Sequence, residues 1–238
     1  MKSFFFLLLS VLPLLSWSQI PAGAWQKQTH STTETMIIAD GYFMKGAYTT
    51  EGNRFVSASG GIMKIMPEEL EMEVEFDNKN IAEVGSMHLI SYRVTANQLQ
   101  LTHHNEKETW VRVDDGKPGV LFGAWLFSGR KANAVDSITA YVPGVRKTMK
   151  ILSGNRFQWA AFNTETKAFL GTGGGTYTAE NGVYSENIAF FSRDDTRVGA
   201  KLSFDLSLSK PHWYHSGQSS KGDPIFERWT LRNTFADQ

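Results

Sequence analysis

Six histidines are the side chains in this sequence best suited to acid–base or metal chemistry, and their spacing favours neither. His103 and His104 are adjacent, so their rings point to opposite faces of a strand, and His212 and His215, three apart, are separated in the same way. The chain has no cysteine, so a zinc site would have to be assembled across strands, which no spacing demands. We therefore predict no catalytic residue, no metal site and no cofactor.

His215 is the single histidine with the most potential for chemistry, because it follows Trp213 and precedes Ser216 beside a loop of small residues. The simplest expectation is a histidine with ordinary hydrogen bonds at the rim of the fold. The sequence lacks the Gly-x-Ser-x-Gly elbow of many serine nucleophiles. An enzyme that uses His215 in a barrel mouth is therefore less favoured than a binding or interaction protein.

A glycine-rich run at residues 171–176 is similar to a phosphate-binding loop only superficially. It lacks the Lys-Ser/Thr ending, and no predicted helix follows it. Glycine within a strand pattern instead indicates a bulge, a bend or a close approach of another group. We expect one of these structural roles for the run.

Alternating apolar and polar residues predict β-strands along the chain, because successive strand side chains point to opposite faces. Residues 69–76 and 201–208 alternate in this way. Turn pairs such as Asp40-Gly41 and Asn181-Gly182 separate the alternating segments and suit tight hairpins. The polar positions of the first segment are expected to form a solvated outer face, made by Glu69, Glu71, Glu73 and Glu75.

Two copies of Gly-Ala-Trp, at residues 23–25 and 123–125, indicate an internal duplication. Later matches follow in the same order: Gly52–Phe55 with Gly154–Phe157, Val84-Gly85 with Val198-Gly199, and Glu108–Trp110 with Glu227–Trp229. The distance between matched residues grows from 100 to 102, then to 114 and 119 residues. Insertions into loops of the second copy would produce such growth.

Each copy contains about eight predicted strands, the usual number for a small closed barrel. Closure hides the strand edges that would otherwise pair with other chains. We predict an all-β protein with two tandem antiparallel up-and-down β-barrels. The predicted boundaries are a signal peptide at 1–18, a first unit at 19–116 and a second unit at 117–238, with turn formers at 114–119 between the units.

The first residues predict export. One lysine precedes an apolar stretch that is interrupted by Pro13, and small residues stand at Ser16 and Ser18. This pattern is typical of a secretory signal peptide, and the stretch is too short for a membrane span. We therefore expect a secreted or periplasmic protein without a membrane span. The chain has 24 basic and 24 acidic residues and no basic run, which argues against nucleic acid as a partner.

The Gly-x-Trp sequence at the start of a β-meander resembles the lipocalin and fatty-acid-binding superfamily. The resemblance implies lipocalin-like barrels in which Trp25 and Trp125 each plug one end. It also implies that a basic residue of the last strand packs over each tryptophan. Matching residues are Arg112 in the first unit and either Arg228 or Arg232 in the second.

The second half is also similar to an uncharacterised family of secreted bacterial lipocalin-like proteins. This likeness covers about half of the chain that remains after signal-peptide cleavage, and it implies a fold without an established activity. The matching stretches are residues 157–159, 171–178, 190–194, 215–217 and 220–224.

Aromatic residues are concentrated in the second copy, where a mostly apolar pocket with a few polar anchors would suit a small molecule. Our leading hypothesis is non-enzymatic binding of a small hydrophobic or amphipathic ligand in the second barrel. The predicted ligand-binding residues are Arg156, Trp159, Tyr177, Arg193, Trp213, His215 and Lys221. The alternative is a cell-surface or extracellular module whose filled barrels bind a protein or glycan through their exterior.

Overall fold

The structure is a computed structural model that describes residues 21–131, 137–219 and 221–235. The predicted signal peptide at 1–18 lies outside the described residues. Within these ranges the chain forms β-strands and a few short 3-10 helices. None of the helices in the described ranges is long and apolar enough to cross a membrane.

The first eight strands form a closed antiparallel barrel in which each strand pairs with the next along the chain. Pairing of the first strand with the eighth, at Trp25 opposite Arg112, closes it. The strands are β1 (Gly23–Gln28), β2 (Thr32–Ala39), β3 (Tyr42–Thr49), β4 (Phe55–Ile65), β5 (Glu69–Asp77), β6 (Met87–Val94), β7 (Gln98–His103) and β8 (Glu106–Arg112).

The second barrel repeats this order, with one short extra strand, β10, paired beside β9. Its strands are β9 (Gly123–Lys131), β10 (Ile138–Ala140), β11 (Arg146–Leu152), β12 (Arg156–Asn163), β13 (Phe169–Glu180), β14 (Val183–Phe191), β15 (Lys201–Ser209), β16 (His212–Gln218) and β17 (Pro224–Leu231). Pairing of β17 with β9 closes the barrel. The prediction of two tandem eight-stranded barrels is confirmed, and this architecture fits a lipocalin-like fold.

The strand registers align the two barrels residue by residue. Phe43 lies opposite Ile38 and Gly61, and Phe157 lies opposite Leu152 and Gly175. Equivalent residues are thus 114 positions apart (157 − 43) from the second barrel strand to the seventh. Trp110 and Trp229 are equivalent in the eighth strand, at a separation of 119. The insertions therefore lie between β9 and β11, where β10 forms, and between β16 and β17.

One predicted match between the copies is wrong. Gly52–Phe55 spans the turn between β3 and β4, whereas Gly154–Phe157 spans the turn between β11 and β12, which corresponds to the β2–β3 turn. The two segments are similar because any hairpin of this kind needs turn formers followed by a strand residue. The true counterpart of Phe157 is Phe43, and both are buried inside their barrels.

The glycine run is a packing feature of β13, as expected. The register of β13 with β14 shifts between Gly174 and Gly175, and the first barrel has the same shift between Gly60 and Gly61. A Cβ on Gly174 would lie 2.8 Å from the ring of Phe190. Glycine is therefore required where the aromatic ring crosses the strand.

A continuous apolar core joins the two barrels. Phe76 of the first barrel stacks on Phe162 of the second at 4.8 Å between ring centroids, and the shared cluster includes aliphatic residues of both. The amide of Gln158 donates to the backbone carbonyl of Lys45 at 3.1 Å. The second barrel thus helps to hold β3 in place.

The acidic row of β5 does not form a solvated face throughout, which corrects the prediction. Glu75 is 7% exposed and lies at the contact between the barrels. Its two carboxylate oxygens accept hydrogen bonds from Arg232, each at 2.6 Å, and Lys147 lies 3.6 Å away. The alternation of residues in β5 places Glu75 on the outside of its own barrel, and the second barrel covers that surface.

Candidate functional site

A cavity of about 190 Å³ lies inside the first barrel, beneath the hairpin that joins β7 and β8. Its volume corresponds to about six water molecules at ~30 Å³ each. The apolar wall is made by Ile90 and Leu101, and the other lining residues are polar: Lys45, His103, Glu106 and Glu108.

Lys45 is placed in this cavity by strand alternation. Phe43 packs in the interior cluster of the first barrel, so the side chain two residues later on β3 also points inward. Its Nζ atom lies 5.8 Å from the ring centre of Trp110. The Lys45 side-chain amine forms no hydrogen bond or ion pair with any described residue.

A second lysine, Lys27, forms an ion pair with Glu108, a carboxylate that lines the cavity. Lys27 donates from Nζ to Glu108 at 2.6 Å and lies 3.3 Å from Glu34. The indole N–H of Trp110 donates to the other oxygen of Glu108 at 3.2 Å. Glu108 is therefore already neutralised by Lys27, and the Lys45 amine remains available to the cavity.

The surroundings of the cavity lower the pKa of both of its basic groups, Lys45 and His103. Burial lowers the pKa of Lys45; the Glu108 carboxylate opposes this effect, and the Lys27 ammonium adds to it. Desolvation and the neighbouring His104 lower the pKa of His103. Burial opposes ionisation of Glu108, but its contact with Lys27 prevails and the pKa of this carboxyl is lowered.

Larger side chains occupy the equivalent space of the second barrel. With the strand registers of the two barrels aligned, Trp159 is equivalent to Lys45. In the same way Phe204 is equivalent to Ile90, and His215 is equivalent to Leu101. Trp159 packs against Phe191 at 5.5 Å between ring centroids, and the His215 ring stacks on Phe204 at 4.7 Å. The interior cavity of the first barrel thus coincides with positions that aromatic rings fill in the second.

The second barrel contains a buried ion pair among aromatic rings. Lys150 Nζ lies 2.7 Å from Glu186 Oε1, and the Tyr184 hydroxyl donates to the same oxygen at 2.7 Å. Four rings surround the ammonium at 5.1–5.7 Å from their centres: Phe157, Tyr184, Trp213 and Trp229. These contacts satisfy both charges within the barrel core.

His215 is 3% exposed and pairs with Glu227 at 2.8 Å between Nε2 and Oε2. Burial lowers the pKa of His215, and the Glu227 contact only partly offsets this effect. Neutral His215 would donate from Nε2 to the carboxylate. Its Nδ1 atom and the indole Nε1 of Trp213 have no hydrogen-bond partner in the described part of the chain.

The lowered pKa of His215 predicts an acid-sensitive second barrel. A histidine whose pKa is depressed by folding stabilises the folded state fully above its unfolded pKa of ~6.5. This contribution is lost as the pH falls through that value toward the folded pKa. We expect His215→Leu, which copies Leu101 of the first barrel, to weaken the fall in stability below about pH 6.5.

Urea unfolding at a series of pH values measures this effect, with His30→Gln as a control because His30 is exposed. His103 and His212 also have lowered pKa values, so the acid sensitivity should decrease without vanishing. An unchanged pH dependence in His215→Leu would show that His215 is not its source.

The other predicted ligand-binding residues make contacts within the protein, and ligand binding by them stays a prediction. Tyr177 is buried, and its hydroxyl donates to the Ser153 carbonyl at 2.6 Å. Arg156 donates to the carbonyl of Val113 at 3.2 Å. Arg193 is exposed and donates to the Leu170 carbonyl, while Lys221 is exposed in the β16–β17 loop. Trp159, Tyr177, Trp213 and His215 are the predicted residues that meet in or beside the interior cluster.

The two tryptophans of the repeated tripeptide occupy equivalent buried positions. The indole N–H of Trp25 donates to the Pro21 carbonyl at 2.8 Å, and that of Trp125 donates to the Leu121 carbonyl at 2.9 Å. Arg112 lies over the Trp25 ring at 4.1 Å, which agrees with the resemblance. Their barrel-plugging role stays a prediction.

The second barrel lacks the equivalent arginine contact. Its residue at the position of Arg112 is Leu231, because the separation in this strand is 119. Arg228 donates to the Ser128 carbonyl at 2.8 Å, and Arg232 binds Glu75 of the first barrel. The expectation that one of these two arginines covers Trp125 is wrong, since both side chains are used elsewhere.

Two open grooves on the outside of the first barrel are weaker candidates. One, of about 750 Å³, is lined mainly by polar and charged residues near β6 and β7. The other, of about 460 Å³, contains His88, His103 and His104. In the described ranges no group of three histidine or acidic side chains could hold a metal ion. Both grooves lie on the outer surface, whereas the cavity is lined by Ile90 and Leu101 of the barrel interior.

Comparison of the chain with protein-family models and with curated proteins found no match.

Proposed function

We propose that the protein is exported and binds a small, partly apolar molecule inside its first barrel without catalysing a reaction. The observation that carries this proposal is the cavity of about 190 Å³, whose lining combines apolar Ile90 and Leu101 with the amine of Lys45. Small-molecule sites usually combine apolar walls with a few placed polar groups. The volume suits a ligand of about six to eight non-hydrogen atoms, by comparison with ~30 Å³ per water molecule.

The two barrels have different roles in this proposal. The first barrel provides the cavity, and the second supports it through the shared core and through the hydrogen bond from Gln158 to the Lys45 carbonyl. The likeness of the second half to secreted lipocalin-like proteins supports export.

The second barrel is the alternative location for a ligand. Two buried polar atoms, Trp213 Nε1 and His215 Nδ1, lack partners among the described residues. One is a hydrogen-bond donor and the other, in neutral His215, is an acceptor. A hydroxyl group could satisfy both types of atom, although it would have to enter a core filled by aromatic rings.

Calorimetric titration with hexan-1-ol tests the proposal. We expect saturable binding to the wild-type protein and at least tenfold weaker binding to Ile90→Phe, a loss of about 1.4 kcal/mol. This substitution places in the cavity the residue type that the second barrel has at the equivalent position, Phe204. The added ring should fill the space without exposing the barrel core.

Leu89→Phe is the matched control because Leu89 is the adjacent residue, is 53% exposed and points away from the cavity. Its affinity should equal that of the wild type. If Ile90→Phe bound hexan-1-ol as tightly as the wild type, the ligand would lie outside this cavity. The second barrel would then be the first region to examine. Failure of the wild type to bind hexan-1-ol would contradict the proposal and favour the alternative of an exterior interaction surface.

A further inference from the structure

Lys45 contributes a primary amine to the lining of the cavity. Lysine ammonium groups in protein interiors are normally paired, because burial of an isolated charge is unfavourable. Lys150 of the second barrel follows this rule through Glu186. Lys45 is half-buried, and its side-chain amine forms no ion pair or hydrogen bond with any described residue.

Burial and the neighbouring Lys27 ammonium lower the pKa of Lys45. Lys27 and Lys45 lie 5.0 and 5.8 Å from the ring centre of Trp110, and Lys27 forms the ion pair with Glu108. A cationic neighbour and desolvation are the two conditions that activate a lysine amine as a nucleophile. The other ionisable groups that influence Lys45 are Glu34, Asp77 and His103.

We propose that the ligand of the first barrel is an aldehyde and that Lys45 Nζ forms a reversible imine with its carbonyl carbon. This inference rests on the proposed binding function and specifies its ligand class. The apolar wall at Ile90 and Leu101 would receive the alkyl chain, while the carbonyl end faces the amine. Capture needs no cofactor and no oxidant.

The chemical step is a condensation. The nitrogen lone pair forms a C–N bond as the carbonyl π electrons move to oxygen, and a proton passes from nitrogen to oxygen to give a carbinolamine. A second proton protonates the hydroxyl, water leaves with the C–O bonding pair, and the nitrogen lone pair completes the C=N bond. The remaining N–H proton then leaves to give the neutral imine. His103 and Glu106 line the cavity and can exchange these protons with water.

The second barrel offers no equivalent reaction. Trp159 occupies the position of Lys45, and the buried Lys150 ammonium is held by Glu186 at 2.7 Å. Imine formation requires a neutral amine, so a paired lysine is a poor nucleophile. The reaction should therefore be confined to one barrel.

Reductive trapping with hexanal tests the inference. The full chain is incubated at pH 7 with hexanal and cyanoborohydride, which converts an imine into a stable secondary amine. We expect peptide mass mapping to place the hexyl group on Lys45 at least tenfold more often than on Lys64. Lys64 is exposed, and exposed lysines with a pKa of ~10.4 are largely protonated at this pH.

Variants and a second probe make the outcome decisive. Lys45→Gln should abolish the preferred adduct, whereas Lys64→Gln should leave it unchanged. The mapping of the wild type identifies the modified residue directly, so the result does not depend on the folding of Lys45→Gln. Equal labelling of Lys45 and Lys64 would overturn the inference. If hexan-1-ol still binds in that case, the proposed binding function stands; if it does not, both fail.

Discussion

Replacement of Arg232 by alanine is expected to lower the free energy of unfolding by about 3–5 kcal/mol, the range for breaking a buried ion pair. Arg232 is 7% exposed and forms two hydrogen bonds of 2.6 Å with Glu75. Its guanidinium also lies 4.3 Å from the ring centre of Tyr42. The variant would leave the Glu75 carboxylate buried between the barrels, with only Lys147 at 3.6 Å to compensate.

Urea unfolding followed by tryptophan fluorescence measures this loss, and Arg54→Ala is the control because Arg54 is exposed. The double variant Glu75→Leu, Arg232→Met should be more stable than Arg232→Ala, since it removes both charges together. If Arg232→Ala had the same urea midpoint of unfolding as the wild type, the ion pair would not hold the barrels together. A double variant as unstable as the single one would assign the loss to packing instead.

Lys150→Met is expected to destabilise the protein by a similar amount, about 3–5 kcal/mol, because it leaves Glu186 charged and buried. The residues equivalent to Lys150 and Glu186 in the first barrel are Met36 and Met72. The first barrel therefore forms the same fold with apolar residues at these two positions. The deficit should shrink as the pH falls, because an unpaired buried carboxyl has a raised pKa and its protonation removes the buried charge.

The matched variants place the apolar residues of the first barrel at the equivalent positions of the second barrel. Lys150→Met combined with Glu186→Met should recover part of the loss, with the Tyr184 hydroxyl still lacking its acceptor. Addition of Tyr184→Leu, which copies Leu70, should recover more. Urea midpoints at pH 5 and pH 8 test these relations. Equal stability of the single and triple variants at both pH values would refute the account of an uncompensated charge.

The sequence was sufficient to predict the fold because strand alternation and turn residues are local signals. The repeated Gly-Ala-Trp and the Glu-x-Trp segments marked equivalent strands, and the structure gives them equivalent positions. The Gly52–Phe55 match failed because turn residues recur at every hairpin. The Val84-Gly85 match with Val198-Gly199 had the correct separation of 114, which the glycine pairs at residues 60–61 and 174–175 share.

The proposed site was harder to predict because it depends on which barrel has unfilled volume. Aromatic residues such as Trp159 and Trp213 suggested a pocket wall, but they fill the second barrel. Lys45 was missed because a lone lysine in a strand is usually an exposed residue. Lys45 could have been found by aligning the two copies with the correct separation of 114. That alignment makes Lys45 equivalent to Trp159 and places a lysine at an inward-facing position.

The contacts between the barrels could not be predicted from the sequence either. The alternating glutamates of β5 correctly indicated one polar face, but nothing local reveals that a second barrel covers part of it. Glu75 and Arg232 are 157 residues apart in the chain, so their pairing depends on the relative placement of two complete barrels.

A crystal structure of the protein soaked with hexan-1-ol tests the central claim most directly. The account predicts density for the alcohol inside the first barrel, with its alkyl chain against Ile90 and Leu101 and its hydroxyl toward Lys45. Density among Trp159, Trp213 and His215 in the second barrel, with the first cavity holding only water, would contradict it.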